Sequence, residues 1–255
     1  MMRSDSNEMK KIRTVFFLVA TVSILLFSLP TSPHDSKRIN LVGESHVQLP
    51  DGRWLIIGGR NSSGISDLAY IVDSVSGEEM KLPARMHQQR AWHSSTVLPD
   101  GTIFIFGGIG NDGLALSSAE LFNPSTLQFE EISSAFTPRA YHTATLLTEG
   151  NVIIVGGSGN NYETLNIAEL WNPETKIAKP IRGNLEVARM KHSALLLPDG
   201  RIRFHGGITN KQQKIKDELY DSTSDLFSSD DTSSVDAQKT GSPHLMLSMP
   251  AEGEA

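Results

Sequence analysis

Three residue pairs able to do chemistry recur in step: Arg90/His93, Arg139/His142 and Arg189/His192, each written Arg-x-x-His. A carboxylate follows in the same register at Glu120, Glu169 and Glu218. Three imidazoles at equivalent places around a ring would suit a metal ion that takes His ligands. The regularity supports a plainer reading. Identical units need identical internal bonds, and one carboxylate per unit is the natural buried partner for an Arg or His. These nine residues are therefore expected to be structural, each His bonding backbone or a neighbouring unit's Glu, with no metal site. The upstream copy departs from the pattern, with Leu41 and Glu44 in place of Arg and His.

The elements that must position these groups are marked by glycine. Pairs stand at Gly58-Gly59, Gly107-Gly108, Gly156-Gly157 and Gly206-Gly207, a period of 49 or 50 residues. Such a period marks an array of identical units that bury their faces on one another. Six residues before each pair lies a turn glycine, in Pro50-Asp51-Gly52, Pro99-Asp100-Gly101, Thr148-Glu149-Gly150 and Pro198-Asp199-Gly200. Asp-Gly between apolar runs predicts a hairpin, because tight hairpin turns need positive φ. The runs Ile103-Phe104-Ile105-Phe106 and Val152-Ile153-Ile154-Val155 read as strands buried on both faces. A third strand is predicted at Ala69-Val72, Ala119-Phe122, Ala168-Trp171 and Asp217-Tyr220, followed by a turn and a short fourth strand. Four short antiparallel strands make one propeller blade.

These residues resemble the kelch repeat family, in its galactose-oxidase-type branch, over residues 38–228. The resemblance rests on four apolar residues, the glycine pair, the Arg-x-x-His, and paired aromatics at Phe122/Phe129 and Tyr220/Phe227. Trp171/Ala178 and Val72/Glu79 are degenerate versions of that pair. The fold it implies is all-β, with blades at about 38–83, 84–134, 135–184 and 185–228. Galactose-oxidase-like enzymes join a tyrosine to a cysteine and bind copper through Tyr and His. The chain has no cysteine, so that group cannot form, Tyr141 and Tyr162 lack a partner for it, and no cofactor is expected.

Kelch propellers usually close with five to seven blades, and four copies are present. Either four blades close tightly or the array is an open, incomplete propeller. The fourth pre-glycine strand, Ile202-Arg203-Phe204-His205, suits a blade lining a polar cavity as well as a terminal blade, and the terminal reading, an open arc, is favoured. Strand side chains alternate faces, so Arg203 and His205 make one face polar, as suits a terminal blade. Burying Arg203 unpaired would cost several kcal/mol. Uncovered faces and edges predict self-association.

The segments flanking the repeats differ in character. Lys10, Lys11 and Arg13 precede an apolar run over residues 14–29, which predicts one apolar helix. Residues 1–33 read as a signal peptide or, uncleaved, a membrane anchor, so the chain is expected to be exported: periplasmic, secreted or membrane-anchored. Residues 229–255 begin as a polar linker and then resemble the opening of a bacterial Ig-like domain, as if the chain were the front of a larger protein.

The mildly acidic net charge of −6, with no dense basic stripe, excludes nucleic acid as a partner. Function is expected in the loops after the glycine pairs, residues 60–67, 109–118, 158–167 and 208–216, which emerge on one face. The candidate binding residues there are Arg60, Asn61, Asn111, Asp112, Asn160, Asn161, Lys211 and Lys214. The expected activity is non-catalytic binding of protein or carbohydrate. The alternatives are a propeller enzyme acting on a sugar, of the isomerase or mutarotase type, and a fragment without independent activity. An enzyme needs polar residues breaking the pattern toward the channel, and Arg203, His205 and Glu44 are the candidates.

Overall fold

The computed structural model describes residues 41–211 and 213–230. The predicted apolar helix over 14–29 and the Ig-like stretch lie outside the described residues. All regular structure in the described residues is strand.

Each copy folds into one four-stranded antiparallel sheet. The first blade holds β1 (Ser45–Gln48), β2 (Trp54–Ile57), β5 (Ala69–Val72) and β6 (Glu79–Lys81), with a small ribbon of β3 (Arg60–Asn61) and β4 (Gly64–Ile65) in its loop. The second holds β7 (Ser94–Val97), β8 (Ile103–Phe106), β9 (Ala119–Asn123) and β10 (Gln128–Ile132). The third holds β11 (Thr143–Leu146), β12 (Val152–Val155), β13 (Ala168–Asn172) and β14 (Ile177–Pro180). The fourth holds β15 (Ser193–Leu196), β16 (Ile202–His205), β17 (Glu218–Asp221) and β18 (Leu226–Ser229).

The first strands of the blades touch in the order β1, β7, β11, β15, and β15 does not return to β1. They form the inner rim of an open kelch-like propeller.

Hairpin chemistry explains the first turn of each blade. Leu98 N–H bonds Thr102 O at 2.8 Å, and the Asp100 carboxylate accepts Thr102 N–H at 2.9 Å. Asp51 and Asp199 do the same for Arg53 and Arg201. Asn123 and Asn172 close the later turns by accepting backbone N–H from Ser125 and Thr175.

The core lies between blades rather than within them, because the second strands alternate faces. Leu55 and Ile57 meet Ile103, Ile105 and Phe122 between the first two blades. Phe104 and Phe106 meet Val152, Ile154 and Trp171 between the second and third. Ile153 and Val155 meet Ile202, Phe204 and Tyr220 between the third and fourth. Trp171 lacks an aromatic across its own sheet, facing Ala178. It stacks instead on Phe104 of the preceding blade, centroids 4.0 Å apart.

The first glycine of three of the four pairs is required by the following blade. A Cβ on Gly58, Gly107 or Gly156 would fall inside 3.0 Å of the carbonyl of Arg90, Arg139 or Arg189, respectively. All three carry positive φ, between 61 and 66°, so any other residue would be strained as well as crowded. Gly206 has the same φ of 65°, yet a Cβ there meets nothing within 4 Å. Among the described residues no following arginine presses on the fourth blade.

Candidate functional site

The Arg-x-x-His and Glu residues form inter-blade clamps. Arg90 belongs to both neighbours at once. Its backbone N–H bonds Ser66 O, and its carbonyl accepts Gly59 N–H, both on the first blade. Its guanidinium crosses to the second blade, where it donates to Gly107 O at 2.8 Å, Ser118 O at 3.2 Å and Glu120 at 2.7 Å. Arg139 repeats this with Leu116, Gly108, Gly156, Ile167 and Glu169, and Arg189 with Leu165, Gly157, Gly206 and Glu218. All three guanidinium groups are fully buried, and burial lowers their pKa while the partner Glu opposes it. Each Glu also caps backbone N–H groups, as Glu120 does for His87 and Gln88. Two or more donors per carboxylate make a buried pair tolerable.

The histidines find a partner that sequence reasoning did not name. Nε2 of His93 meets the Ser45 hydroxyl at 2.8 Å, His142 meets Ser94 at 2.8 Å, and His192 meets Thr143 at 3.0 Å. The partner is a hydroxyl on the preceding blade's innermost strand, rather than backbone or Glu. Hydroxyls at positions 45, 94 and 143 keep the repeat spacing, which was the available signal. Burial, and next the nearby arginine, lowers His93 to about 3 and His192 to about 4, with His142 also held well below its ordinary value. All three are neutral at pH 7, and each leaves Nδ1 unpartnered. Among the described residues no group of His, Asp and Glu is arranged to hold a metal ion.

The three residues singled out for an enzyme do not converge. Arg203 and His205 lie on β16, the second strand, not on the channel-lining first strand. Arg203 Nε pairs with Asp230 at 2.6 Å and His205 Nδ1 with Asp217 at 2.8 Å. Glu44 accepts from Leu41 N–H at 3.1 Å and meets His46 at 2.7 Å.

The post-glycine loops emerge beside the start of each inner strand, as the bridges Val42 to Arg60, Ala91 to Ile109, Ala140 to Ser158 and Met190 to Ile208 show. Several predicted binding residues spend their polar groups on the loops themselves. Asn61 and Asp112 accept backbone N–H from Ser63 and Leu114. Asn160 reaches back to Ala115 N–H of the preceding loop at 2.8 Å, and the Asn111 oxygen lies over Gly64 of the loop before it. Asn210 makes the same backward link to Thr164 at 2.6 Å. Asn161 uses its backbone N–H on Glu163. Arg60, Lys211 and Lys214 are exposed, and their side chains enter no salt bridge among the described residues.

Sequence reasoning missed the residue immediately before each clamp histidine: Gly43 before Glu44, then Trp92, Tyr141 and Lys191. These four stand side by side at the inner rim. Trp92 N–H bonds Gly43 O at 2.7 Å, Tyr141 N–H bonds Trp92 O at 3.1 Å, and Lys191 N–H bonds Tyr141 O at 2.9 Å. The side chains follow the backbone. Trp92 lies against Gly43, Trp92 and Tyr141 centroids are 5.4 Å apart, and Lys191 Nζ sits 4.9 Å from the Tyr141 ring centre. Trp92 and Tyr141 are half-buried and Lys191 is exposed. Tyr162 and Arg60 are near enough to act on the Tyr141 phenol, which burial raises most.

No curated protein matches the chain. Residues 93–135, which hold all four strands of the second blade, match the kelch motif, and with its four blades built on one plan the chain carries the kelch repeat.

Proposed function

We propose that the chain is a protein-binding kelch scaffold that takes its partner on the face where the post-glycine loops emerge. One observation carries this reading. The polar groups that repeat from blade to blade are consumed in clamps and hydroxyl bonds, whereas Trp92, Tyr141, Tyr162, Arg60, Lys191 and Lys211 on the loop face differ between blades and keep exposed surface. Repeat scaffolds present their binding chemistry in such variable positions. Export, read from the basic and apolar residues 10–29, would place this face outside the cytoplasm.

A photo-crosslinking residue at Tyr162 tests the site, with a second at Ser125 in the outer turn of the second blade as comparison. The expected result is a discrete protein adduct from position 162 and none from 125. Adducts from 125 alone would move the interface to the outer edge.

A further inference from the structure

We propose that Trp92, Tyr141 and Lys191, with Arg60 beside them, form a ledge for an acidic, proline-containing peptide in the polyproline II conformation. The inference rests on the protein-binding reading above and names the chemistry of its partner.

The first argument is conformational. Trp92, Tyr141 and Lys191 have φ of 56, 57 and 55°, the left-handed region where Gly43, with φ of 74°, holds the same place in the first blade. A side chain there costs roughly 1–2 kcal/mol relative to ordinary backbone. Glycine would relieve it, as Gly43 does; among the described residues, Leu127, Lys176 and Asp225 in the outer turns and Tyr162 in the third loop are the other non-glycine residues in this region. Three large side chains are kept at strained positions, and such strain collects where a side chain must be presented. The blade-to-blade hydrogen-bond ladder fixes them, so little ordering entropy remains to be lost on binding.

The second argument is chemical. The indole N–H of Trp92 and the hydroxyl of Tyr141 make no hydrogen bond among the described residues, while both rings are half-buried. A polyproline II segment has no internal hydrogen bonds and offers every carbonyl as an acceptor. Aromatic ledges with a ring donor are a recurring way to bind such segments. The cations give the sign. Lys191 lies over the Tyr141 ring, and the exposed Arg60 of the first loop is near enough to act on the Tyr141 phenol. Lys211 and Lys214 make the fourth loop basic, against one exposed carboxylate each at Asp112 and Glu163 in the second and third loops, in a chain whose net charge is −6. Charge complementarity therefore selects an acidic peptide.

The probe is a fluorescein-labelled decapeptide of alternating glutamate and proline, titrated by anisotropy at low and high salt. Binding is expected, weakening with salt, and (Lys-Pro)5 is expected not to bind. Lys191→Glu and Arg60→Glu, both at exposed positions, are each expected to weaken binding at least tenfold. Trp92→Ala should abolish it, with a melting curve to show that the variant is folded. Lys179→Glu, on an outer strand, should leave binding unchanged. Equal binding of (Lys-Pro)5, or no effect of Lys191→Glu and Arg60→Glu, overturns the proposal. So does displacement of the peptide by oligogalacturonate at lower concentration than by unlabelled peptide, which would make the ledge a site for an acidic glycan. If the peptide fails while position 162 still crosslinks a protein, only this inference falls; if both fail, the loop face falls with it.

Discussion

The upstream end of the array loses its cation, imidazole and carboxylate, while the downstream end keeps them and loses its apolar strand. In the first blade Leu41, Glu44 and Tyr70 hold the places that Arg90, His93 and Glu120 hold in the second. In the fourth blade Arg189, His192 and Glu218 are all present, and Arg203 and His205 replace the apolar residues of β12. The clamp looks backward: its arginine backbone and its histidine bond the preceding blade. Among the described residues no blade precedes the first, so it has nothing to clamp. Arg and Glu disappear together there, which avoids leaving either buried charge unpaired. The apolar second strand looks both ways, and among the described blades polar side chains replace it only in the fourth, which no described blade follows.

The downstream replacements also come in matched pairs. Asp230 occupies the place of Leu82, Ile132 and Ile181, and Asp217 that of Ala69, Ala119 and Ala168, as the shared backbone bonds of Leu82, Ile181 and Asp230 indicate. Asp230 takes Arg203, and Asp217 takes His205. Two apolar contacts of an inner interface have become two ion pairs at an end.

The comparison can be broken first at an inner clamp. Glu169→Ala should destabilise the fold by about 3–5 kcal/mol, because Arg139 is left buried without its anion. Urea unfolding measures it, and a loss below about 1 kcal/mol would remove the clamp from the account.

His142→Ala should cost about 1–3 kcal/mol by leaving the Ser94 hydroxyl unpartnered. The same histidines predict acid lability. Their folded pKa values are depressed below the unfolded value near 6.5, so the unfolded chain binds more protons between the two. Stability is complete above about pH 6.5 and falls as the pH drops toward about 4 for His192 and about 3 for His93. The slope is about 1.4 kcal/mol per pH unit for each group. Glu218, raised by burial, works in the opposite sense over its own range. Melting curves at pH 7 and pH 5 should separate for the wild type and separate less for His142→Gln, in which His93 and His192 still carry the effect.

At the polar end the effect on folding should be small. The double variant Arg203→Ile, Asp230→Ile should change stability by less than about 1 kcal/mol, since exchanging an ion pair for apolar residues is often neutral. It should raise the apparent mass in light scattering, because the end would then resemble an uncovered inner face. An unchanged mass would show that the polar pairs do not govern association.

The blades, their hairpins and the polar end strand were legible because each depends on spacing and alternation within one copy. Arg203 and His205 announced a wet face by alternation alone. Their partners did not, because Asp217 and Asp230 acquire meaning only when strand register aligns them with Ala168 and Ile181. The Ser45, Ser94 and Thr143 hydroxyls were hidden for the same reason. The Trp92, Tyr141 and Lys191 ledge was illegible for the opposite one. Reading by repeats favours positions that stay the same, and this position changes in every blade.

The most direct test of the open arc compares one substitution at two equivalent glycines. Gly107→Ala places a methyl group against the Arg139 carbonyl, and Gly206→Ala places it in open space at the same backbone φ. Both carry the left-handed penalty of roughly 1–2 kcal/mol. Only Gly107→Ala adds a backbone clash, worth about a further 1–3 kcal/mol. Urea unfolding of the two variants should therefore differ by at least about 1 kcal/mol, with Gly206→Ala the milder. Equal losses would mean that something presses on the fourth blade as the second and third blades are pressed, and that the propeller is closed.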